Sequence, residues 1–140
     1  MQTNPPYTRS FPNEKRAELL SASIQEFSKC VISGSLCGWG DVFIPNFGLV
    51  AFLDVPMDIR IRRLNKRERE RWGCRIQNGG DMYETHTAFI EWTKTYDTSI
   101  LNDRSRAQHD EWLKLLPCTV LRLDGTKPVE ELLKQVMLAI

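Results

Sequence analysis

The sequence predicts an α/β fold in which helices flank a parallel sheet. Residues 49–53 form a nearly continuous apolar run, which is typical of a strand buried on both faces. The predicted elements follow in the order helix, strand, strand, helices, strand, helix. The connections between strands are long and carry no hairpin signal, and long crossovers join parallel strands. Because 140 residues with 41% hydrophobic content suffice for one core, we expect residues 1–140 to form a single domain.

The first third of the chain predicts a helix, a short strand and a glycine-rich loop. Residues 1–12 hold three of the seven prolines, which predicts an irregular arm. Asn13 is placed to cap a helix that extends to about residue 29. Residues 30–33 predict a strand that leads into residues 34–41, GSLCGWGD. A strand that ends in a glycine-rich loop is where open α/β sheets bind ligands, and a plain strand-to-helix turn is the alternative.

The rest of the chain predicts helices around one further strand. A basic helix follows residue 56 and ends at Gly73. Asp81 is interpreted as the N-cap of the next helix, with a catalytic carboxylate as the alternative. A shorter helix ends at Pro117, and residues 118–124 form a strand. The final amphipathic helix has Pro128 at its first position.

Composition narrows the classes of function. The four cysteines and two histidines show no metal-binding spacing, so we expect no metal site and reduced cysteines that pack as small hydrophobic residues. A zinc site and a disulfide framework are the alternatives. No apolar run approaches the roughly 18 residues of a membrane span, and the first residues carry no targeting pattern. These features predict a cytoplasmic protein without a membrane partner.

The basic helix carries a row of arginines beside its apolar side. This arginine row consists of Arg60, Arg63, Arg67 and Arg71. Because the row adjoins the apolar side instead of opposing it, we predict that it lines a cleft, with a solvated helix face as the alternative. Residues 60–75 contain eight Lys or Arg and two Glu, whereas the whole chain has a net charge of +1. A local positive field favours a small anionic ligand over a long polyanion.

Several motifs resemble those of a known superfamily. They are LDVP followed by R-L-x-x-R at residues 63–67, SGSLCGWG, RIxxGGDM and LDGxxPVEEL. In order and spacing they resemble the lid-bearing half of the P-loop nucleoside and nucleotide kinases, and are most similar to bacterial AAA-type adenylate-kinase-like ATPases of unassigned substrate. The resemblance extends from about Pro5 to the end. It implies an incomplete three-layer, P-loop kinase-like parallel sheet flanked by helices, with a helical lid region.

The resemblance also implies roles for individual residues. Arg63 would flank the nucleotide base and Arg67 would bind the phosphates. The implied nucleotide-binding residues are Arg63, Arg67, Asp124, Gly125, Thr126, Lys127 and Pro128. The implied catalytic residues, the last two of them in a mobile lid, are Arg67, Arg71 and Arg75. The implied acceptor-binding residues are Gly34, Ser35, Gly38, Trp39, Gly40 and Asp41. Members of the family use ATP and Mg²⁺, so a nucleotide or a phosphorylated small molecule is the expected ligand.

The chain departs from the family at one point. It contains no G-x-x-x-x-G-K-[ST] phosphate loop, which family members place ahead of the position of residue 1. The resemblance therefore implies an N-terminally truncated member, the acceptor-binding and lid portion of an ATP-dependent kinase or ATPase, inactive alone. A degenerate, non-catalytic nucleotide- or phosphate-binding module is the alternative. Nucleic-acid binding is disfavoured because no aromatic residues are interleaved among the basic ones.

The missing loop has a structural consequence. In the family the strand before the phosphate loop lies between the strands that correspond to residues 30–33 and 49–53. We therefore predict that these two strands either pair directly or leave a slot that another chain fills, such as a second copy in a homo-oligomer.

Overall fold

The computed structural model describes residues 10–100 and 104–140, which adopt an α/β arrangement, so the predicted class is confirmed at that level. The strands are β1 (Leu49–Asp54) and β2 (Thr119–Asp124). The helices are α1 (Asn13–Gln25), α2 (Met57–Trp72), α3 (Tyr83–Lys94), α4 (Arg106–Leu113) and α5 (Val129–Met137), with short 3-10 helices at Asp41–Asn46, Gly73–Ile76 and Thr95–Asp97. Most of the predicted N-terminal arm, residues 1–9, lies outside the described residues.

The two strands form a parallel pair, as the long crossover predicts. Leu49 lies opposite Thr119, and the register continues without a bulge to Asp54 opposite Asp124. The connection between them contains α2, α3 and α4. The carboxyl ends of both strands therefore meet at one edge of the sheet, each ending in an aspartate.

Two predictions about strands are wrong. Residues 30–33 are irregular and form no strand, and Val31 is 98% exposed. The prediction that residues 30–33 and β1 pair directly or flank an open strand position therefore fails, because one of the two strands does not form. The prediction that β1 is buried on both faces is also wrong, because Ala51 and Leu53 are exposed.

The chain divides into two compact units, Met1–Asn46 and Phe47–Ile140. In the first unit, the guanidinium of Arg16 lies over the ring of Trp39 at 4.1 Å, which is cation–π geometry. The second unit contains the sheet and α2 to α5. Its buried apolar residues are Ile76, Met82, Ile90, Leu113 and Leu123.

Several predicted helix ends shift in the structure. Asn13 is the first residue of α1 and not its cap, because Pro12 has the non-helical conformation and its carbonyl accepts a hydrogen bond from the Arg16 amide. The same helix ends at Gln25, short of residue 29. Asp81 does not cap α3, which begins at Tyr83, since its carboxylate binds an arginine instead.

Two other helix ends agree closely with the sequence. Helix α2 ends at Trp72, so the predicted break at Gly73 is confirmed, and Gly73 has a φ of 55°, a conformation that favours glycine. Pro128 lies one position outside α5 instead of at its first residue. In the part of the chain that the structure describes, no helix is long and apolar enough to cross a membrane.

Candidate functional site

The edge where β1 and β2 end carries a tightly built turn. The amide of Gly125 donates a 2.8 Å hydrogen bond to the carbonyl of Asp54, which joins the turn after β2 to the end of β1. A Cβ atom at position 125 would lie 2.6 Å from Cγ2 of Val55, so the close approach requires glycine. The carboxyl ends of parallel strands are where open α/β sheets bind ligands, and this turn forms part of that edge.

Asp124 and Thr126 hold the turn in one conformation. Oδ1 of Asp124 accepts hydrogen bonds from the Thr126 hydroxyl at 2.6 Å and the Thr126 amide at 3.0 Å. These two bonds lower the pKa of Asp124 below its usual range, so the carboxylate is ionised at neutral pH. The amide of Lys127 donates to the carbonyl of Asp124 at 3.0 Å. The predicted nucleotide-binding segment, residues 124–128, is thus a defined turn leading into α5.

Arg63 connects α2 to this turn. Its Nη1 donates a 2.6 Å hydrogen bond to the carbonyl of Gly125, 62 residues later in the chain. The side chain is otherwise exposed and makes no further hydrogen bond or ion pair to the described residues. The structure therefore brings together two of the segments that the resemblance assigns to nucleotide binding, and the Arg63 residue as a whole is exposed.

The other members of the arginine row have partners within the protein. Nη2 of Arg60 donates to Asp97 at 2.7 Å, and Nη1 donates to the Val55 carbonyl at 3.0 Å. Arg67 donates through Nε and Nη2 to Oε1 of Glu68. Arg71 lies 6.0 Å from the ring of Trp72. A ligand phosphate at Arg67 would therefore have to compete with a carboxylate.

The predicted lid residue Arg75 closes a loop between α2 and α3. Its Nε and Nη2 donate to the two carboxylate oxygens of Asp81 at 2.9 and 2.7 Å. This fork raises the pKa of Arg75 and lowers that of Asp81. The Met82 amide donates to the Arg75 carbonyl at 2.9 Å, and a Cβ at Gly80 would collide with that carbonyl. The loop is a closed ring stabilised by side-chain and main-chain bonds.

The predicted acceptor loop, residues 34–41, folds on itself in the first unit. Gly38 donates its amide to Oδ1 of Asp41 at 3.0 Å, and Nε1 of Trp39 donates to the Ser35 carbonyl at 2.8 Å. Gly40 is buried against Leu36, which leaves no room for a Cβ. Burial, with the nearby Asp41 carboxylate, raises the pKa of the Cys37 thiol. Gly34 has a φ of 134°, so it too requires glycine.

A charged network that the sequence does not predict lies beside the same sheet edge. Arg106 donates two hydrogen bonds to Asp54, at 2.7 and 2.9 Å, and a third to Asp97 at 2.9 Å. Asp97 also accepts from Arg60, so two arginines and two aspartates alternate. Hydrogen bonding to Arg106 lowers the pKa of Asp54 and raises that of Arg106. The signal in the sequence was Asp54 at the end of a strand, but nothing indicated its partner 52 residues later.

Tyr96 and His109 continue this network toward the apolar side of the sheet. The hydroxyl of Tyr96 and Nδ1 of His109 lie 2.8 Å apart, within hydrogen-bond distance. Arg60 lies over the Tyr96 ring at 4.8 Å. Burial lowers the pKa of His109, with a smaller contribution from Arg104, so the imidazole is neutral at pH 7.

The described residues, 10–100 and 104–140, hold no cluster of three or more metal-ligating side chains of His, Cys, Asp or Glu. At the sheet edge, both carboxylate oxygens of Asp54 are bound by Arg106, and Oδ1 of Asp124 is bound by Thr126. The cationic and main-chain groups at this edge suit an anionic ligand.

Two surface depressions lie away from this edge. One, of about 390 Å³, is on the outward side of α2 and is lined by Arg62, Asn65, Lys66, Arg69 and Glu70. The other, of about 430 Å³, is lined by residues of the loop 78–81 and by Tyr83, Glu84 and Thr85. Asp81, the ion-pair partner of Arg75, lines the second depression. No member of the arginine row lines either depression.

The fold and this edge define an α/β protein with a cation-bordered turn at the carboxyl ends of two parallel strands. Over 131 residues the chain is 37% identical to the uncharacterized protein YqaC of Bacillus subtilis (strain 168). The match covers 94% of the chain and 74% of the relative. The chain therefore belongs to the family of YqaC. No family model matches the chain, and no solved structure matches it.

Proposed function

We propose that the chain is the acceptor-binding and lid portion of an ATP-dependent nucleotide or small-molecule kinase or ATPase of the adenylate-kinase-like group. The observation that carries the proposal is the 2.6 Å hydrogen bond from Arg63 to the Gly125 carbonyl. Both partners belong to motifs that resemble the nucleotide-binding motifs of that group. They come from elements far apart in sequence, and their meeting at the carboxyl edge of a parallel sheet is what such a site requires.

The chemistry of Arg63 supports nucleotide binding. One nitrogen of the guanidinium is held by the Gly125 carbonyl, which fixes the plane of the group without neutralising its charge. The residue is exposed, and its other guanidinium donors make no hydrogen bond or ion pair to the described residues. A planar cation of this kind stacks on a nucleobase or binds a phosphate through two parallel hydrogen bonds. The adjacent turn adds main-chain groups, and its glycine lets a ligand approach the backbone closely.

The proposal assigns binding, and not phosphoryl transfer, to these residues. Transfer requires a metal ion and main-chain donors around the β- and γ-phosphates, and the sequence contains no phosphate-loop motif to supply those donors. In this proposal Arg67, Arg71 and Arg75 contribute positive charge to a bound polyphosphate. When the loop between α2 and α3 moves over a bound ligand, Arg75 would release Asp81 and bind a phosphate oxygen instead. Use of ATP would place the protein in the cytoplasm.

Calorimetric titration with ADP in metal-free buffer tests the proposal. We expect the chain to bind ADP and Arg63→Ala to weaken binding about tenfold, since a charge-assisted contact contributes roughly 1.5–3 kcal/mol and this one is partly exposed. Arg62→Ala is the matched control. Arg62 is the preceding residue on α2, is exposed, and has no partner among the described residues. Equal affinity of the two variants, or no heat of binding to the parent chain, would contradict the proposal.

A degenerate phosphate-binding module is the second candidate. It is favoured by the carboxylate partners of Arg67 and Arg75, which engage two of the arginines implied in catalysis and leave the binding of phosphate to other groups. Titration with pyrophosphate and with adenosine separates the two candidates. Binding of adenosine that Arg63→Ala abolishes supports a nucleotide site, whereas binding of pyrophosphate alone supports the module.

A further inference from the structure

The last helix, α5, leaves much of its apolar side uncovered. Val129, Leu133 and Met137 are spaced four residues apart and are 73%, 56% and 62% exposed. They therefore form one stripe along the helix. Leu132 and Val136, which adjoin the stripe, are half-buried, and α5 contacts β2. The helix is thus anchored to its own sheet by one part of its apolar side and presents the other part to solvent.

The stripe is bordered by charges of opposite sign. Glu130 and Lys134 are four residues apart and lie next to the stripe on the flank that faces away from Leu132 and Val136. No hydrogen bond or ion pair engages either side chain in the part of the chain that the structure describes. A row of large apolar residues beside unpaired charges is the pattern of a helix that packs against another helix.

We propose that the stripe docks against the same stripe of a second copy of the chain, with the two α5 helices antiparallel across a twofold axis near Leu133. In this arrangement the flank that bears Glu130 and Lys134 faces its own symmetry mate. Glu130 of each copy then lies opposite Lys134 of the other, which forms two reciprocal ion pairs. In a parallel arrangement the same flank would instead face the opposite flank of the second helix, which carries Leu132 and Val136, and neither charge would have an oppositely charged partner. Charge complementarity therefore favours a second copy of α5 as the partner, in the antiparallel direction.

The remaining features of the chain agree with self-association. Its net charge of +1 imposes little long-range repulsion between copies. The stripe consists of Val, Leu and Met, and the buried centre of a homodimer interface is likewise apolar. The surface lies on α5, whereas the proposed nucleotide contacts lie at Arg63 and the turn before α5. Dimerisation is therefore independent of the proposed function. A result that contradicts the dimer does not contradict nucleotide binding, and the reverse also holds.

Sedimentation equilibrium of the purified chain tests the interface. We expect a concentration-dependent monomer–dimer equilibrium and expect Leu133→Glu to raise the dissociation constant about a hundredfold, because two carboxylates would face each other at the centre of the interface. Leu115→Glu is the control, since Leu115 is 63% exposed and lies outside α5. Circular dichroism of both variants checks that each is folded.

A charge-reversal series makes the test independent of folding. Glu130→Lys places four lysines along the shared flank and should weaken the dimer about fivefold, and adding Lys134→Glu should restore the parent constant. A monomer at all concentrations would overturn the proposal. A dimer that is insensitive to Leu133→Glu, or one that the double reversal does not restore, would show that another surface or orientation forms the contact and would overturn it as well.

Discussion

Arg106 on α4 binds Asp54 at the end of β1 through two parallel hydrogen bonds of 2.7 and 2.9 Å. The same guanidinium reaches Asp97 through Nε, so one side chain joins the sheet, the 3-10 helix Thr95–Asp97 and α4. Arg60 of α2 binds Asp97 from the other side. This network fixes the helices around the sheet edge at which the candidate nucleotide site lies.

Removing the Arg106 side chain should destabilise the second unit. Arg106→Ala leaves Asp54 and Asp97 without their shared donor, and we expect the free energy of unfolding to fall by about 1–2 kcal/mol, since partial exposure of Asp54 screens the charges. Urea denaturation followed by circular dichroism measures the change. Arg69→Ala, at an exposed arginine of α2, should change stability by less than about 0.5 kcal/mol.

A double-mutant cycle that combines Arg106→Ala with Asp54→Asn measures the interaction energy between Arg106 and Asp54. If the two bonds seen here act together, the double variant loses less stability than the sum of the single variants. Additive losses would mean that Arg106 stabilises the fold through packing and not through Asp54.

The free energy of unfolding should fall in acid as the carboxylates of Asp54 and Asp97 become protonated. Hydrogen bonds from Arg106 lower the pKa of Asp54, and at Asp97 burial raises the pKa but is outweighed by hydrogen bonds from Arg60 and Arg106. A carboxylate whose pKa is lower in the folded state stabilises the fold above the unfolded-state value of about 3.9. That stability is lost as the pH falls through the lowered folded-state pKa.

Urea midpoints between pH 5 and pH 2 measure this dependence. We expect the parent chain to lose stability over this range more steeply than a variant carrying both Asp54→Asn and Asp97→Asn. The variant should be less stable at pH 5 and closest to the parent at pH 2. Parallel pH profiles would assign the acid sensitivity to other carboxylates.

The elements of the fold that the sequence predicts correctly are those determined by local pattern. The apolar run of β1, the end of α2 at Gly73 and the amphipathic pattern of α5 each depend on a few neighbouring residues. The strand predicted at residues 30–33 failed because a strand exists only with a partner, and two apolar residues do not reveal whether a partner is present. The cap assigned to Asp81 failed because an arginine six residues earlier competes for its carboxylate.

In the candidate site, too, local motifs predict individual residues but not the contacts that depend on packing. Arg63 and Gly125 were each predicted from motifs, and the structure adds that they touch. The partner of Asp54 could not be predicted, because an isolated arginine in a polar stretch carries no sequence signal for a contact 52 residues away. Likewise, the positions of the arginine row around α2 follow from helical periodicity, but their carboxylate partners depend on how the helices pack.

Gly125→Ala should disturb the junction of the two strands. The added Cβ would lie 2.6 Å from Cγ2 of Val55 and 3.2 Å from the Asp54 carbonyl, so the turn must move. We expect a loss of about 1–3 kcal/mol in the free energy of unfolding, together with weaker ADP binding. Gly48→Ala is the matched control, since nothing lies within 4 Å of a Cβ there, and it should leave stability unchanged or raise it by up to about 1 kcal/mol.

Arg75→Ala should open the loop between α2 and α3. The fork from Arg75 to Asp81 closes this loop, and inside it the Gly80 amide donates to the Gln77 carbonyl and the Met82 amide donates to the Arg75 carbonyl. Without the fork, these main-chain bonds should break more often, and we expect the protection of both amides against hydrogen exchange to fall while that of β1 and β2 is retained. Lys94→Ala removes an exposed ion pair to Glu91 on α3 and serves as the control, because it should leave exchange in the loop unchanged. Unchanged protection at Gly80 and Met82 in Arg75→Ala would mean that the main-chain bonds alone hold the loop closed. Arg75 could then exchange Asp81 for a ligand phosphate without opening the loop.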